Sequence, residues 1–306
     1  MEFKHRSVLL RETVDSLQVR ADGIYIDGTA GGAGHAVEIA KQLTTGRLYA
    51  LDQDPDAVAV ASERLKEYPA TVIRANFCEM DRVMEERGVR AVDGILLDLG
   101  VSSYQLDNGE RGFSYHQDAP LDMRMSREGV SAADLVATLS ENELADIFFR
   151  FGEEKFSKRI AARIVAERAI KPIATTLQLA EIIANAVPAA ARRDGHPARK
   201  CFQALRIAVN RELDVLSEAL DKAFDLLAPG GVLSVITFHS LEDRMVKQRF
   251  KAYCTGCTCP PELPVCVCGK TPRGQLVFRK PIEAGAEELQ ENQRSRSAKL
   301  RAVKKL

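Results

Sequence analysis

IYIDGTAGGAGH, residues 24–35, decides how the rest of the chain is read. Ile24-Tyr25-Ile26 is a short apolar run with the character of a buried strand. It ends on Asp27 and opens into a loop carrying Gly28, Gly31, Gly32 and Gly34. Val37, Ile39, Ala40 and Leu43 then recur at helical spacing. Strand, glycine loop and helix, in that order, predict the first unit of a nucleotide-binding α/β sheet. Glycines let backbone approach a ligand closely, and a helix N-terminus presents unpaired N–H groups to it.

Outward from this stretch the pattern repeats. Strands are expected at 47–51, closing on Asp52, at 71–73, and at 94–97, closing on Asp98. Pro55 opens a helix for which Asp54 is the candidate N-cap. Continuous apolar strands between helical patterns imply a mostly parallel sheet covered on both faces. From about Ser102 to Asn210 the strand signal disappears, and residues 131–150, 153–170, 175–187 and 199–211 read as helices. Leu213, Leu216, Leu220, Phe224 and Leu227 form one more apolar helix face, Pro229-Gly230-Gly231 stops it, and VLSVITF (232–238) is a further buried strand. Segments 276–282 and 298–303 are expected to close the sheet as an antiparallel hairpin at its edge. The fold expected is therefore α/β, a Rossmann-like sheet domain (1–105 and 211–306) with an inserted all-helical domain (106–210).

Composition narrows the partners. Formal net charge is +0 over 306 residues, so no global field draws the chain to nucleic acid. Locally the balance differs. Residues 150–211 hold 13 Lys+Arg against 5 Asp+Glu, a difference of +8, which suits a phosphate-bearing partner. The N-terminal segment is too charged for a signal peptide, and no apolar run reaches membrane-spanning length, so a cytoplasmic protein without a membrane partner is expected. An odd count of 7 cysteines argues against a disulfide framework.

The loop does not fit the dinucleotide fingerprint G-x-G-x-x-G/A, because Val37 or Ala30 stands where small residues or glycine are required. Asp52 is placed to accept both ribose hydroxyls of an adenosine. Asp98, at the end of the fourth strand, has no general task in a dehydrogenase, whereas in a methyltransferase it can meet the methionine part of the donor or the incoming nucleophile. A cap or turn role is the alternative for each aspartate.

Several long stretches then carry a family resemblance: HRSVLL (5–10), DGTAGGAGH (27–35), LDQDPDA (51–57), DLGVSS (98–103) with Gln105, RGFSY (111–115), PLDMRM (120–125), FGEEKFSKRIA (151–161), HPARKCFQALRIAVNREL (196–213) and FHSLEDRMVK (238–247). Collinear over nearly the whole chain, they resemble the ribosomal RNA small subunit methyltransferase H family, also called MraW. The resemblance implies a class I S-adenosylmethionine-dependent methyltransferase fold carrying an inserted helical domain. It implies methylation of the exocyclic N4 of a cytidine in the decoding region of 16S rRNA, with the small ribosomal subunit as partner. Carried over by position, donor contacts fall on Ala33, Gly34, His35, Asp52, Phe77, Asp98 and Gln105. The family usually has glycine where this chain has Ala33, and alanine is compatible there if the local φ is negative. Phe77 follows the third strand and is either a cover for the adenine or a plain core ring.

A cytosine amino group is a weak nucleophile and needs alignment and an acceptor for its proton. Asp98 is the first candidate acceptor, with His239 and Asp122 as further catalytic candidates. FHSLED also reads as a helix cap with Ser240 as N-cap. Arg111, Phe113 and Arg124 in the loop leaving the sheet, and Arg199, Gln203 and Arg206 on one helical stripe, are the candidate RNA contacts. DLGVSS lacks the Asp-Pro-Pro-aromatic motif usual in DNA amino methyltransferases, so DNA is not the expected substrate. The alternatives are a methyltransferase for another amino nitrogen and a non-catalytic RNA-binding ribosome assembly factor.

Five of the 7 cysteines lie in C-x2-C-x-C-x6-C-x-C over residues 254–268. Cys257, Cys259, Cys266 and Cys268 are candidate ligands of a structural zinc ion, and reduced free thiols or a redox-labile loop are the alternatives.

Overall fold

The computed structural model describes residues 7–189, 195–260, 265 and 267–306. The first helix and strand are α1 (Leu10–Leu17) and β1 (Ile24–Asp27), followed by α2 (Gly34–Ala40) and β2 (Arg47–Asp52). Next come α3 (Pro55–Leu65), β3 (Ala70–Arg74), α4 (Met80–Glu85) and β4 (Val92–Asp98). A run of helices follows: α5 (Ser103–Asp107), α6 (Ala132–Thr138), α7 (Glu141–Gly152), α8 (Ser157–Ile170), α9 (Thr176–Ala186), α10 (Ala198–Asn210) and α11 (Glu212–Leu226). The chain closes with β5 (Leu227–Thr237), α12 (Ser240–Cys254), β6 (Gly274–Leu276), α13 (Ala286–Glu291) and β7 (Lys299–Lys305). None of these helices is long and apolar enough to cross a membrane. Two compact units result, Met1–Gly100 with Val215–Leu306, and Val101–Asp214.

The first unit holds a seven-stranded sheet in the order β3-β2-β1-β4-β5-β7-β6. β1 to β5 run parallel, and β7 is antiparallel to both neighbours. Successive strand residues point to opposite faces, and the sequence uses both. Tyr25, Ala50 and Leu96 pack with α1, α2 and α3, whereas Ile26, Leu51 and Leu97 pack with α4, α11 and α12. Strand order reverses between β1 and β4, which leaves the crevice at the carboxyl ends of these strands as the ligand position of such a sheet. Asp27, Asp52 and Asp98 are the last residues of β1, β2 and β4.

The tail differs from the sequence expectation. β7 lies inside the sheet between β5 and β6, and the edge strand is only Gly274–Leu276. Beyond it, Ile282 makes a single bridge to Leu300. Pro281 has no N–H to donate to a ladder, so 276–282 cannot pair along its length.

The second unit is helical around its own core, which includes Phe113, Met123, Leu144, Phe148, Ile160, Ile183 and Leu205. The expected single helix over 131–150 is two helices. Ser140 accepts the Glu143 N–H at 3.3 Å while the Glu143 carboxylate accepts the Ser140 N–H at 2.8 Å, a capping box that starts α7 afresh.

Candidate functional site

In the first unit the 27–35 loop is held from three sides. Gly28 N–H donates to the Leu96 carbonyl and Ala30 N–H to that of Leu51, at 2.9 and 2.8 Å. Gly31 N–H donates to Asp52 Oδ2 at 2.8 Å, and the other oxygen of Asp52 accepts the Asp54 N–H at 2.9 Å. Asp27 accepts the Thr29 N–H at 3.1 Å, and the Thr29 hydroxyl in turn accepts the Asp98 N–H at 2.6 Å. Glycine is required where the loop meets its neighbours. A Cβ on Gly28 would come within 2.6 Å of Leu97 and 3.0 Å of Phe77, and one on Gly34 would overlap the Ser7 hydroxyl.

Ala33 does not have the negative φ under which alanine fits most easily. Its φ is 59° and ψ 24°, the left-handed region, and its methyl is buried against the core under α2. The turn into α2 demands this conformation, so an L-residue sits where glycine costs less.

The three strand-end aspartates share an unusual electrostatic setting. Burial pushes the Asp27 carboxyl up to about 7, against the hydrogen bonds from Thr29 and with the neighbouring Asp52 adding to the rise. Burial likewise raises Asp52 to about 6, although the Asp54 and Gly31 N–H groups oppose it. Asp98 is raised well above the ordinary carboxylate range, first by burial and then by Asp27 and Glu242. Its Oδ1 is buried with no hydrogen-bond partner among the described residues. Among the described residues no cation pairs with these three carboxyl groups, a setting that favours a positively charged ligand.

His35 is buried beside them and donates Nε2–H to the Val8 carbonyl at 3.0 Å, since a carbonyl can only accept. Burial lowers its pKa to about 4, so the ring is neutral at physiological pH. Phe77 opens a single 3-10 turn after β3 and is half-buried beside Gly28.

His239, a catalytic candidate, also has a structural task. It, rather than Ser240, is the N-cap of α12. Nδ1 accepts the Glu242 N–H at 3.3 Å, and Nε2 lies 3.1 Å from Glu242 Oε1. Glu242 completes the box by accepting the Phe238 and His239 N–H groups at 2.8 and 3.3 Å. Nδ1 is thus used by the cap, while Nε2 is buried and makes no hydrogen bond among the described residues.

In the second unit several sequence candidates have internal tasks. Gln105 is buried and accepts the Ser102 N–H at 3.0 Å in a capping box for α5. Asp122 is paired with Arg124 at 2.7 Å. Burial alone would raise its pKa, but the Arg124 hydrogen bonds outweigh that and hold it low, a poor setting for a proton acceptor. Arg124 also donates to the Gly129 carbonyl. Arg111 is a buried brace whose guanidinium donates to the Arg124 and Met125 carbonyls at 2.9 and 3.0 Å, not an RNA contact. Phe113 is core, so it cannot stack on a base. Tyr115 is stacked on His196 and edge-on to Phe202.

The proposed stripe on α10 also turns inward. Arg206 makes a bidentate pair with Glu212 at 2.8 and 2.9 Å. Gln203 donates to the Phe151 carbonyl, and Asn210 bridges Met123 and Met125. Of the stripe's basic residues Arg199 stays exposed. Exposed basic residues that the helical spacing did not single out are Lys155, Lys158 and Arg159, near the start of α8. The first turn of α10 meets the preceding turn, since Lys200 donates to the Glu153 carbonyl at 3.2 Å.

Of the candidate zinc ligands, Cys257, Cys259 and Cys268 are brought together in the first unit, while Cys266 lies outside the described residues.

A mostly parallel sheet with its strand order reversed beside β1, β7 inserted antiparallel between β5 and β6, and a glycine loop at the carboxyl ends of the strands are the architecture of a class I S-adenosylmethionine-dependent methyltransferase. The model of the MraW methylase family matches residues 2–306, and the chain belongs to that family. It is 56% identical over 311 residues to a protein of Lachnospira eligens named ribosomal RNA small subunit methyltransferase H, covering 100% of this chain and 99% of that one. A protein of the same name from Clostridium botulinum (strain Loch Maree / Type A3) is 53% identical over 309 residues, with 100% of each chain covered. A crystal structure of an rRNA methylase from Streptococcus thermophilus is similar at 12% identity and a TM-score of 0.43, covering 100% of this chain and 99% of that one.

Proposed function

We infer that this chain transfers a methyl group from S-adenosylmethionine to ribosomal RNA of the small subunit, and we propose the exocyclic N4 of a cytidine in the decoding region of 16S rRNA as the target. Family membership over the whole chain supports the reaction class, and the names of the relatives support the RNA. The structural observation that carries the reading is the Asp27, Asp52 and Asp98 group around the glycine loop, with Asp98 Oδ1 lacking a partner among the described residues.

When bound, the donor supplies an electrophilic methyl on a sulfonium that leaves as a neutral thioether. The residues of this chain do the rest. Asp52 and the loop backbone are placed for the adenosine end, with Phe77 beside Gly28 as the apolar wall. Asp98 sits at the end of β4 with a high proton affinity, as an acceptor for the amino proton must have. A positive ligand beside the carboxyl lowers that affinity by direct attraction.

In the same reading the helical unit recognises RNA, and its phosphate contacts are assigned to Lys155, Lys158, Arg159 and Arg199, whose charges are exposed. Two measurements test the whole. Calorimetry should detect binding of S-adenosylmethionine, and mass spectrometry of small-subunit RNA incubated with the protein and the donor should show one newly methylated cytidine. Absence of donor binding sinks the enzyme assignment; donor binding with unmodified RNA sinks the substrate.

A further inference from the structure

Cys254 ends α12, and the chain regains the sheet at Gly274. Between them the described residues form no helix or strand, and none of them is buried. The neck is closed by Arg273 N–H donating to the Tyr253 carbonyl at 2.9 Å. Val265 and Val267 are 71% and 78% exposed, so the described residues of the loop form no apolar core. Ordering exposed residues of this kind carries a conformational entropy cost that burial does not offset.

Thiols supply that offset. The Sγ atoms of Cys257, Cys259 and Cys268 lie within 4.8 Å of one another. Those of Cys257 and Cys268 are 3.7 Å apart. A disulfide needs about 2.0 Å. A tetrahedron with Zn–S bonds of about 2.3 Å has S···S edges of about 3.8 Å. The loop backbone also turns N–H groups onto the sulfurs. Cys259 N–H points to Cys257 Sγ and Val267 N–H to Cys259 Sγ, each at 3.4 Å. Such dipoles favour the thiolate, which is the form that ligates a metal. Cys254 is not part of the group, since its side chain packs against the core beneath α12.

We propose that Cys257, Cys259 and Cys268 hold a zinc ion that fastens the 255–273 loop. The site is structural and lies outside the methyl-transfer machinery. Binding displaces the three thiol protons to solvent and involves no redox change. Three thiolates leave one position of the tetrahedron for a further thiolate or a water.

The full chain, purified under reducing conditions without chelator and reconstituted with Zn2+, should contain about one zinc per chain by elemental analysis. Cys257→Ser and Cys268→Ser should lose it, while Cys254→Ser and Cys78→Ser keep it. With Co2+ in place of zinc, the near-ultraviolet thiolate-to-metal absorption should weaken in each of the first two variants and not in the other two. Chelation should expose the 255–273 loop to limited proteolysis while S-adenosylmethionine affinity, measured in parallel, is unchanged. Less than about half a zinc per reconstituted chain, or an unchanged zinc content in both Cys257→Ser and Cys268→Ser, overturns the proposal. So does a Cys257–Cys268 disulfide found by mass spectrometry in the reduced, metal-treated protein.

Discussion

Nδ1 of His35 lies 3.6 Å from Oδ2 of Asp98. Because Nε2–H is donated to the Val8 carbonyl, it is the Nδ1 lone pair that faces the carboxyl. An ionised Asp98 would meet that lone pair with its own negative charge, and a protonated one can share its proton with it. The neutral ring therefore offers the carboxyl no positive charge, while burial, Asp27 and Glu242 raise its proton affinity.

Methyl transfer should accordingly rise with pH as Asp98 ionises, because only the carboxylate can accept the amino proton. Asp98→Asn should lower the single-turnover rate by about 10²–10⁴-fold and abolish that rising limb, with thermal unfolding little changed. A variant that keeps both rate and pH profile would remove Asp98 from the chemistry.

Ala33 gives a prediction about backbone strain. Left-handed φ costs an alanine about 1–2 kcal/mol. Ala33→Gly relieves this, but it adds about 0.5–1 kcal/mol of unfolded-chain entropy and removes a buried methyl worth about 0.8 kcal/mol. The terms nearly cancel, so Ala33→Gly should be neutral to within about 1 kcal/mol and retain donor affinity. Ala33→Val, β-branched at the same φ, should lower the thermal midpoint clearly. Equal stability of the two variants would contradict the observed φ of 59°.

Asp27 makes stability depend on pH in a stated direction. Folding raises its pKa from 3.8 to about 7, so between these values the native state keeps a proton that the unfolded chain has released. Its stabilising contribution is thus full below about pH 4 and lost as pH rises through about 7. His35 acts oppositely. Its pKa falls from 6.5 to about 4, so protonation of the unfolded chain weakens the fold as pH drops. Comparing Asp27→Asn with the parent isolates the first effect. The variant's relative stability should grow from pH 4 to pH 8 by on the order of 2–4 kcal/mol, read from denaturation curves. Parallel profiles would refute the shift.

Arg206 and the exposed bases should separate stability from RNA binding. Arg206→Met strands the nearly buried Glu212 carboxylate and should cost about 2–4 kcal/mol, with Glu212→Leu restoring much of it. RNA affinity of the folded variant should be unchanged. Lys155→Glu, Lys158→Glu or Arg199→Glu should weaken RNA binding with little loss of stability. Each should also reduce the slope of log affinity against log salt by about 1. The reverse pattern would return the RNA contact to the inner stripe of α10.

By itself the sequence determined the parallel part of the sheet, though not the pairing of its tail, because buried strands and helices write their period into the order of apolar residues. Tyr25 and Ile26 must face opposite sides of any strand that contains both. The collinear motifs determined the family for the same reason, since they lie in one dimension. What the side chains of those motifs do was decided in three dimensions. Arg111, Phe113, Gln203 and Arg206 have the chemistry of RNA contacts, yet the fold supplies carbonyls, a core and Glu212 as their partners. Hydrogen bonding is satisfied by proximity, and proximity across tens of residues is not encoded in local spacing. His239 became a cap and Ala33 left-handed because a single turn must join each strand to its helix. The raised pKa values of Asp27, Asp52 and Asp98 likewise arise only when three strand ends, distant in the chain, are brought together at the carboxyl ends of inner strands of the sheet.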